Sequence, residues 1–230
     1  SAILEKGKLT SIIGVNGCGK STLLKTILGI VPINNGDVTI DDTSLKGMNQ
    51  NDISRRIAYL SQGKSTADMT VEQLVLHGRF PHLSYPRRYS KHDYEIAIDA
   101  MKQMGIAQYA KKSLHTLSGG MRQNTYIAMA LALETDYVLL DEPTTYLDIA
   151  HQLELMKILR SFADSGKGIV AVMHDLPMAF TFSDKIILIN DGRIVDEDLP
   201  EKIYEQNVID KVFGVDLARS KDGLFYSYKY

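Results

Sequence analysis

Gly14-Val15-Asn16-Gly17-Cys18-Gly19-Lys20-Ser21-Thr22 decides the fold. The stretch fits G-x-x-x-x-G-K-[ST], follows the apolar run Leu9 to Ile13, and leads into Leu23, Leu24, Ile27 and Leu28, with Gly29 as a stop. Strand, glycine loop and helix in that order are the setting in which this motif binds phosphate. Glycines let the backbone curl so that successive N–H groups and the helix N-terminus face an anion. The candidate phosphate-binding residues are therefore Gly14, Asn16, Gly17, Cys18, Gly19, Lys20, Ser21 and Thr22. Lys20 would neutralise β- and γ-phosphate oxygens, and the Ser21 hydroxyl would ligate Mg²⁺. Cys18 is expected to fill space rather than to act as a nucleophile.

Outward from the loop, short apolar runs recur at Val138 to Leu140, Ile169 to Met173 and Ile186 to Ile189. Runs this short, apolar on both faces, predict buried parallel strands with helices on either side. The residues from about Thr70 to Leu133 carry helix signals instead. Thr70-x-x-Gln73 reads as a capping box, and Ile96, Ala97, Ala100, Met101 and Met104 keep one apolar face that stops at Gly105. Asn190-Asp191-Gly192 and Asp222-Gly223 predict hairpins, hence antiparallel strands added at the sheet edge. The expected architecture is an α/β P-loop NTPase fold over residues 1–230: a mainly parallel sheet, antiparallel edge strands, and a helical subdomain inserted at about 70–135.

Composition narrows the function classes. The chain has 230 residues and a formal net charge of -2, which supplies no basic field for wrapping nucleic acid. The longest unbroken apolar run, Tyr126 to Leu133, is far short of the roughly 20 residues that a bilayer span needs. A single cysteine rules out an internal disulfide and a Cys-rich zinc site, and the start Ser1-Ala2-Ile3-Leu4-Glu5-Lys6 has no signal pattern. A reducing, cytosolic compartment is the expectation.

Tyr137-Val138-Leu139-Leu140-Asp141-Glu142-Pro143 is an apolar strand ending in two acids, a Walker B pattern. A strand in this position delivers Asp141 to the carboxyl edge of the sheet beside the phosphate loop, where it can hold Mg²⁺. Glu142, one residue on, points elsewhere and is the candidate general base for an attacking water.

Leu117-Ser118-Gly119-Gly120, taken with the phosphate loop, the Walker B segment, Gln62 and His174, resembles the ATP-binding subunit of ABC transporters over nearly the whole chain. The resemblance implies two copies closing head to tail around two ATP molecules, with Ser118, Gly119 and Gly120 of each contacting the γ-phosphate held by the other. Ser118 is a good N-cap and the glycines permit close approach of an anion to the helix N-terminus. Carried over residue by residue, Gln62 resembles the glutamine that touches Mg²⁺ and the attacking water and relays contact with the membrane subunits. Asp148 resembles the aspartate at the dimer seam, and His174 the histidine that holds the γ-phosphate and orients Glu142. The implied catalytic set is Glu142, His174 and Gln62; the implied Mg²⁺ set is Ser21, Gln62 and Asp141.

Gly78-Arg79-Phe80-Pro81-His82-Leu83 and Thr144-Thr145-Tyr146-Leu147-Asp148-Ile149-Ala150-His151-Gln152-Leu153-Glu154 narrow the resemblance to importers of ferric siderophores, with haem and vitamin B12 importers as near relatives. It implies a homodimer on the cytoplasmic face of the membrane, two transmembrane permease subunits, an extracytoplasmic substrate-binding protein reached only indirectly, and no nucleic acid. No metal site is expected among His77, His82 and His151, the last placed on an exposed helix face. A catalytically weak nucleotide-binding module is the alternative, and a soluble ABC protein of DNA repair or translation is disfavoured because the sequence has no coiled coil or second cassette.

The sequence departs from the family pattern before Gly14. That family carries a pair of strands there with an aromatic residue that stacks on adenine, whereas no Tyr, Phe or Trp occurs before Tyr59. The N-terminal strands and adenine platform are thus expected to be missing. Stacking on an aromatic ring is worth roughly 1 to 3 kcal/mol per base, so ATP should bind this chain about 5- to 150-fold more weakly. Calorimetry tests this, and micromolar ATP affinity would contradict it. Val15, Met121 and Asn124 stand where relatives often carry Pro, Gln and Arg.

Overall fold

The computed structural model describes residues 2–40, 42–61, 68–223 and 225–229. In chain order the elements are β1 (Leu9–Ile13), α1 (Lys20–Ile27), β2 (Thr39–Ile40), β3 (Thr43–Ser44), α2 (Gln50–Ser54), β4 (Ile57–Leu60), α3 (Val71–His77), α4 (Lys91–Gln103), α5 (Gly119–Ala132), β5 (Tyr137–Asp141), α6 (Ile149–Asp164), β6 (Gly168–Val172), α7 (Leu176–Phe182), β7 (Lys185–Asn190), β8 (Arg193–Asp198), α8 (Pro200–Glu205), α9 (Val208–Phe213), β9 (Leu217–Arg219) and β10 (Tyr226–Tyr228). The main sheet runs β4-β5-β6-β1-β7-β8. Its first five strands are parallel, and β8 closes the edge antiparallel to β7.

Period-two alternation sorts each central strand between two cores. Leu9 and Ile13 of β1 join Val138, Leu140, Ile169 and Ala171 on the face covered by α5, α6 and α7. Ile12, Leu139, Val170 and Val172 face the other way, toward Leu24 and Leu28 at α1 and Ile53 of α2. Because both faces are buried, these strands read as unbroken apolar runs. The chain leaves β1 for the far edge at β4, returns through β5 and β6, and then crosses to β7 on the other side of β1. The carboxyl ends of β1, β5 and β6 therefore open on one edge, where ligands bind in sheets of this kind.

Between β4 and β5 lie α3, α4 and α5, which share one core through Val71, Leu74, Val75, Met101, Ile127 and Leu131. Both α3 and α4 start with complete capping boxes, Thr70 with Gln73 and Ser90 with Asp93. Gly78 lets the end of α3 lie against α5, since an added Cβ would sit 2.2 Å from the Met129 carbonyl oxygen. Gly105 follows α4 at φ 65.

Two readings are corrected. The Asp222-Gly223 turn joins β9 and β10 as a separate two-stranded sheet and adds nothing to the main edge. The edge strand β4 was not anticipated. Its run Ile57–Leu60 is apolar throughout and longer than Val138 to Leu140, so the same pattern rule reaches it.

Candidate nucleotide-binding site

Local sterics shape the phosphate loop first. Gly14 is buried, and an added Cβ would lie 2.3 Å from the Ile189 carbonyl oxygen and 2.6 Å from Cys18 Sγ, so only a residue without a side chain fits there. Gly17 and Gly19 have φ of 78 and 105, which disfavours any L side chain. Gly19 is also the N-cap of α1, and no side chain caps that helix, which leaves its first amides without a side-chain acceptor. An open cavity of about 480 Å³ lies over these residues, lined by Asn16, Gly17, Gly19, Thr22, Asp191 and Gly192 among others. Uncapped amides at a helix N-terminus are a ready anion site, and Lys20, Ser21 and Asp141 lie outside the lining of this cavity. Cys18 is buried and belongs to the core beneath the loop, which agrees with the space-filling reading.

Asp191 and Gly192 come from the β7–β8 turn, and the Gly192 N–H donates to the Cys18 carbonyl at 3.0 Å. The turn therefore braces the loop. Its residues Asn190-Asp191-Gly192 signalled a hairpin, but no local pattern could say that the hairpin abuts a loop so distant in sequence.

Lys20 is buried, and its Nζ donates to the Gly14 and Val15 carbonyls at 2.8 and 3.0 Å. The ammonium is thus desolvated and held over the loop by oxygens of the loop itself, ready to exchange them for phosphate oxygens. Next in sequence, Ser21 Oγ donates to Asp141 Oδ1 at 3.0 Å, and the Tyr59 hydroxyl reaches Asp141 Oδ2 at 3.4 Å. Burial first, then the charge and hydrogen bond of Asp141, push the Tyr59 hydroxyl up to about 12, so it stays a donor at neutral pH. Nothing in the sequence marked Tyr59 as a partner of Asp141. A hydroxyl beside a carboxylate offers two hard oxygen donors, which fits Mg²⁺, an ion that takes few protein ligands and completes its shell with phosphate oxygens and water. Gln62, the third expected ligand, lies outside the described residues.

Beyond Asp141, Glu142 has φ 53, a left-handed conformation that costs a non-glycine residue about 1–3 kcal/mol. Its carboxylate meets the second residue after β6: Glu142 Oε1 lies 2.5 Å from His174 Nε2, and Thr145 Oγ1 donates to Glu142 Oε2 at 3.2 Å. The side chains are 13% and 41% exposed, so the pair stands at the rim of the site with His174 open to solvent. Parallel pairing of β5 with β6 brings the two residues together.

The remaining expected residues stand at two other helix N-termini. Ser118 is the N-cap of α5, its Oγ accepting from the Met121 N–H at 3.3 Å, and Asp148 is the N-cap of α6, accepting from the His151 N–H at 2.9 Å. Among the described residues, none of Ser118, Gly119, Gly120 and Asp148 hydrogen-bonds to the phosphate loop of its own chain. Gly119 is exposed, has no positive φ, and an added Cβ there would meet nothing within 4 Å. Among the described residues, no contact requires it to be glycine.

Residues 1–145 match the family model described as ABC transporter. Among curated proteins, the chain is 38% identical to the petrobactin import ATP-binding protein FpuD of Bacillus anthracis, covering 96% of this chain and 82% of that protein. It is 41% identical to the ferric enterobactin transport ATP-binding protein FepC of Escherichia coli, with 92% and 79% covered. Among solved structures, a metal-chelate type ABC transporter in an inward-facing conformation superposes with a TM-score of 0.82 at 28% identity, over 97% of this chain and 87% of that one. The dimeric structure of the bacterial ABC transporter cassette MJ0796 gives 0.74 at 26%, over 86% and 88%. With a glycine loop, a Walker B pair and a serine-glycine helix start in one fold, the chain belongs to the ABC transporter family.

Proposed function

We propose that the chain is the ATP-hydrolysing subunit of an importer of ferric siderophores, working as a head-to-tail homodimer on the cytoplasmic face of the membrane with two permease subunits and, through them, an extracytoplasmic binding protein. The cargo reading rests on relatives whose names state petrobactin and ferric enterobactin transport. The hydrolysis reading is carried by one observation, the contact of Glu142 with His174 beside the Ser21–Asp141 pair.

Each side chain then has a task. Amides 17–20 and the Lys20 ammonium bind the β- and γ-phosphates. Ser21 and Asp141, with Gln62, would hold Mg²⁺, which when bound neutralises charge developing on the phosphate oxygens. Glu142, fixed from two sides by His174 and Thr145, accepts a proton from water at its carboxylate, and His174 presents its ring nitrogen to the γ-phosphate. Such phosphoryl transfer depends on positioning and electrostatics, so a site lacking the second copy's α5 N-terminus should be nearly inactive. The bare, exposed Gly119 supports a role for that terminus in meeting a group from outside the chain.

Sedimentation of the Glu142→Gln variant with saturating ATP and Mg²⁺ tests the proposal. A nucleotide-dependent dimer is expected, and a chain that stays monomeric would defeat the two-copy site.

A further inference from the structure

Gly120 is glycine for a reason different from that of its neighbour. Its φ is not positive, yet a Cβ added there would lie 2.9 Å from His151 Cδ2 and 3.3 Å from His151 Nε2. The imidazole lies directly over the first turn of α5. On its other side the same ring is tied to Asp148: His151 Nδ1 and Asp148 Oδ2 are 2.8 Å apart, while Asp148 Oδ1 accepts from the His151 N–H at 2.9 Å. A Cβ on Gly120 would press on the ring and force it to shift. The neighbour Gln152 fixes the same segment from within, its Nε2 donating to the Thr144 and Leu147 carbonyls at 3.2 and 3.0 Å. His151 is 47% exposed, and its contacts with Asp148 and Gly120 lie at the starts of α6 and α5.

We propose that His151 is a positioning residue for ATP-driven closure: its ring locks Asp148 at the start of α6 to Gly120 at the start of α5, so that both are presented to a second copy as one rigid unit. The inference rests on the two-copy reading above and goes beyond it by assigning a role to a residue that touches neither phosphate nor metal. Loss of the ring leaves the two N-termini free to move separately, and closure then has to order both. Residues in contact within one network are energetically coupled, and an effect of about tenfold, about 1.4 kcal/mol, is expected.

The test is a double-mutant cycle on ATP-driven dimerisation, measured by sedimentation in the Glu142→Gln chain, with melting temperature recorded for every variant. His151→Ala is expected to weaken dimerisation about tenfold and, in the chain with Glu142 intact, to raise KM for ATP more than it lowers kcat, with little change in melting temperature. Gly120→Ala is expected to cost less in the His151→Ala background than with His151 present, because the share of its cost that acts through the ring is then already lost. Normal dimerisation by His151→Ala would overturn the inference. So would strictly additive effects of the two substitutions, because nothing of the Gly120 effect would then pass through the ring. Failure of the two-copy reading shows separately, as a parent that never dimerises before residue 151 is touched, and it removes the inference with it.

Discussion

Replacing Glu142 with Gln is expected to lower steady-state ATP turnover by about 10²- to 10⁴-fold while leaving ATP binding in place, because a positioned general base contributes roughly that factor. Gln has nearly the shape of Glu, so it can keep the hydrogen bond from Thr145 Oγ1. What it lacks is a basic oxygen for the proton of the attacking water. The phosphate loop, Lys20 and the Ser21–Asp141 pair make no use of the Glu142 side chain, which predicts an unchanged dissociation constant. Phosphate release under single-turnover conditions, with calorimetric titration of ATP on the same preparation, measures both quantities. A variant retaining more than about a tenth of the parent rate would remove Glu142 from the role of base. His174→Ala should also reduce turnover while leaving the Glu142 carboxylate intact, because Glu142 Oε1 then loses the ring 2.5 Å away. A parent chain already as slow as Glu142→Gln would instead favour the catalytically weak module.

What was legible in the sequence was what short-range chemistry encodes. The loop from Gly14 to Thr22, the capping box at Thr70 and the stop at Gly105 are each set by neighbours within a few residues, and capping signals lie close to the helices they start. The central strands were legible because burial on both faces leaves unbroken apolar runs. Contacts between distant segments were not. Tyr59 meets Asp141 across 82 residues, and the β7–β8 turn braces a loop near the other end of the chain. The Glu142–His174 pair was expected from the family resemblance alone; geometry alone supplies the left-handed Glu142 backbone that turns its side chain toward the ring. Gly119 and Gly120, adjacent and identical in sequence, differ only in space: among the described residues an added Cβ on the first would meet nothing within 4 Å, and one on the second would meet His151.

Arg79→Met is expected to destabilise the fold by about 3–5 kcal/mol, the usual cost of breaking one side of a buried ion pair, which for a chain of this size lowers the melting temperature by about 6–20 °C. Arg79 and Asp93 are 5% and 7% exposed, and Arg79 Nε donates to Asp93 Oδ1 at 3.0 Å. Arg79 Nη1 also donates to the Ala132 carbonyl at 2.7 Å and to Glu134 Oε2 at 2.8 Å. One guanidinium therefore joins α4 to the carboxyl end of α5, where His82 Nε2 lies 2.9 Å from the Leu133 carbonyl oxygen. Met fills much of the same volume, so the loss isolates the charge from the packing. Burial raises the Asp93 pKa, but hydrogen bonds from Ser90 and then Arg79 outweigh it and hold the carboxyl at about 2, below its ordinary 3.8. A depressed carboxylate contributes stability that is fully present above 3.8 and is lost as pH falls toward 2. The stability gap between the parent and Arg79→Met should therefore be widest near neutrality and narrow through that acid window, where a protonated Asp93 no longer needs a cation. Asp93→Asn combined with Arg79→Met should cost less than the two single effects added together, because neither charge is left stranded. Thermal melts of the four proteins across pH decide the matter: a gap independent of pH together with strict additivity would show that Arg79 acts by filling space and not by charge. Since α5 begins at Ser118, loosening its far end also loosens the segment that a second copy must meet, and Arg79→Met should lose ATP-driven dimerisation in step with stability, unlike His151→Ala.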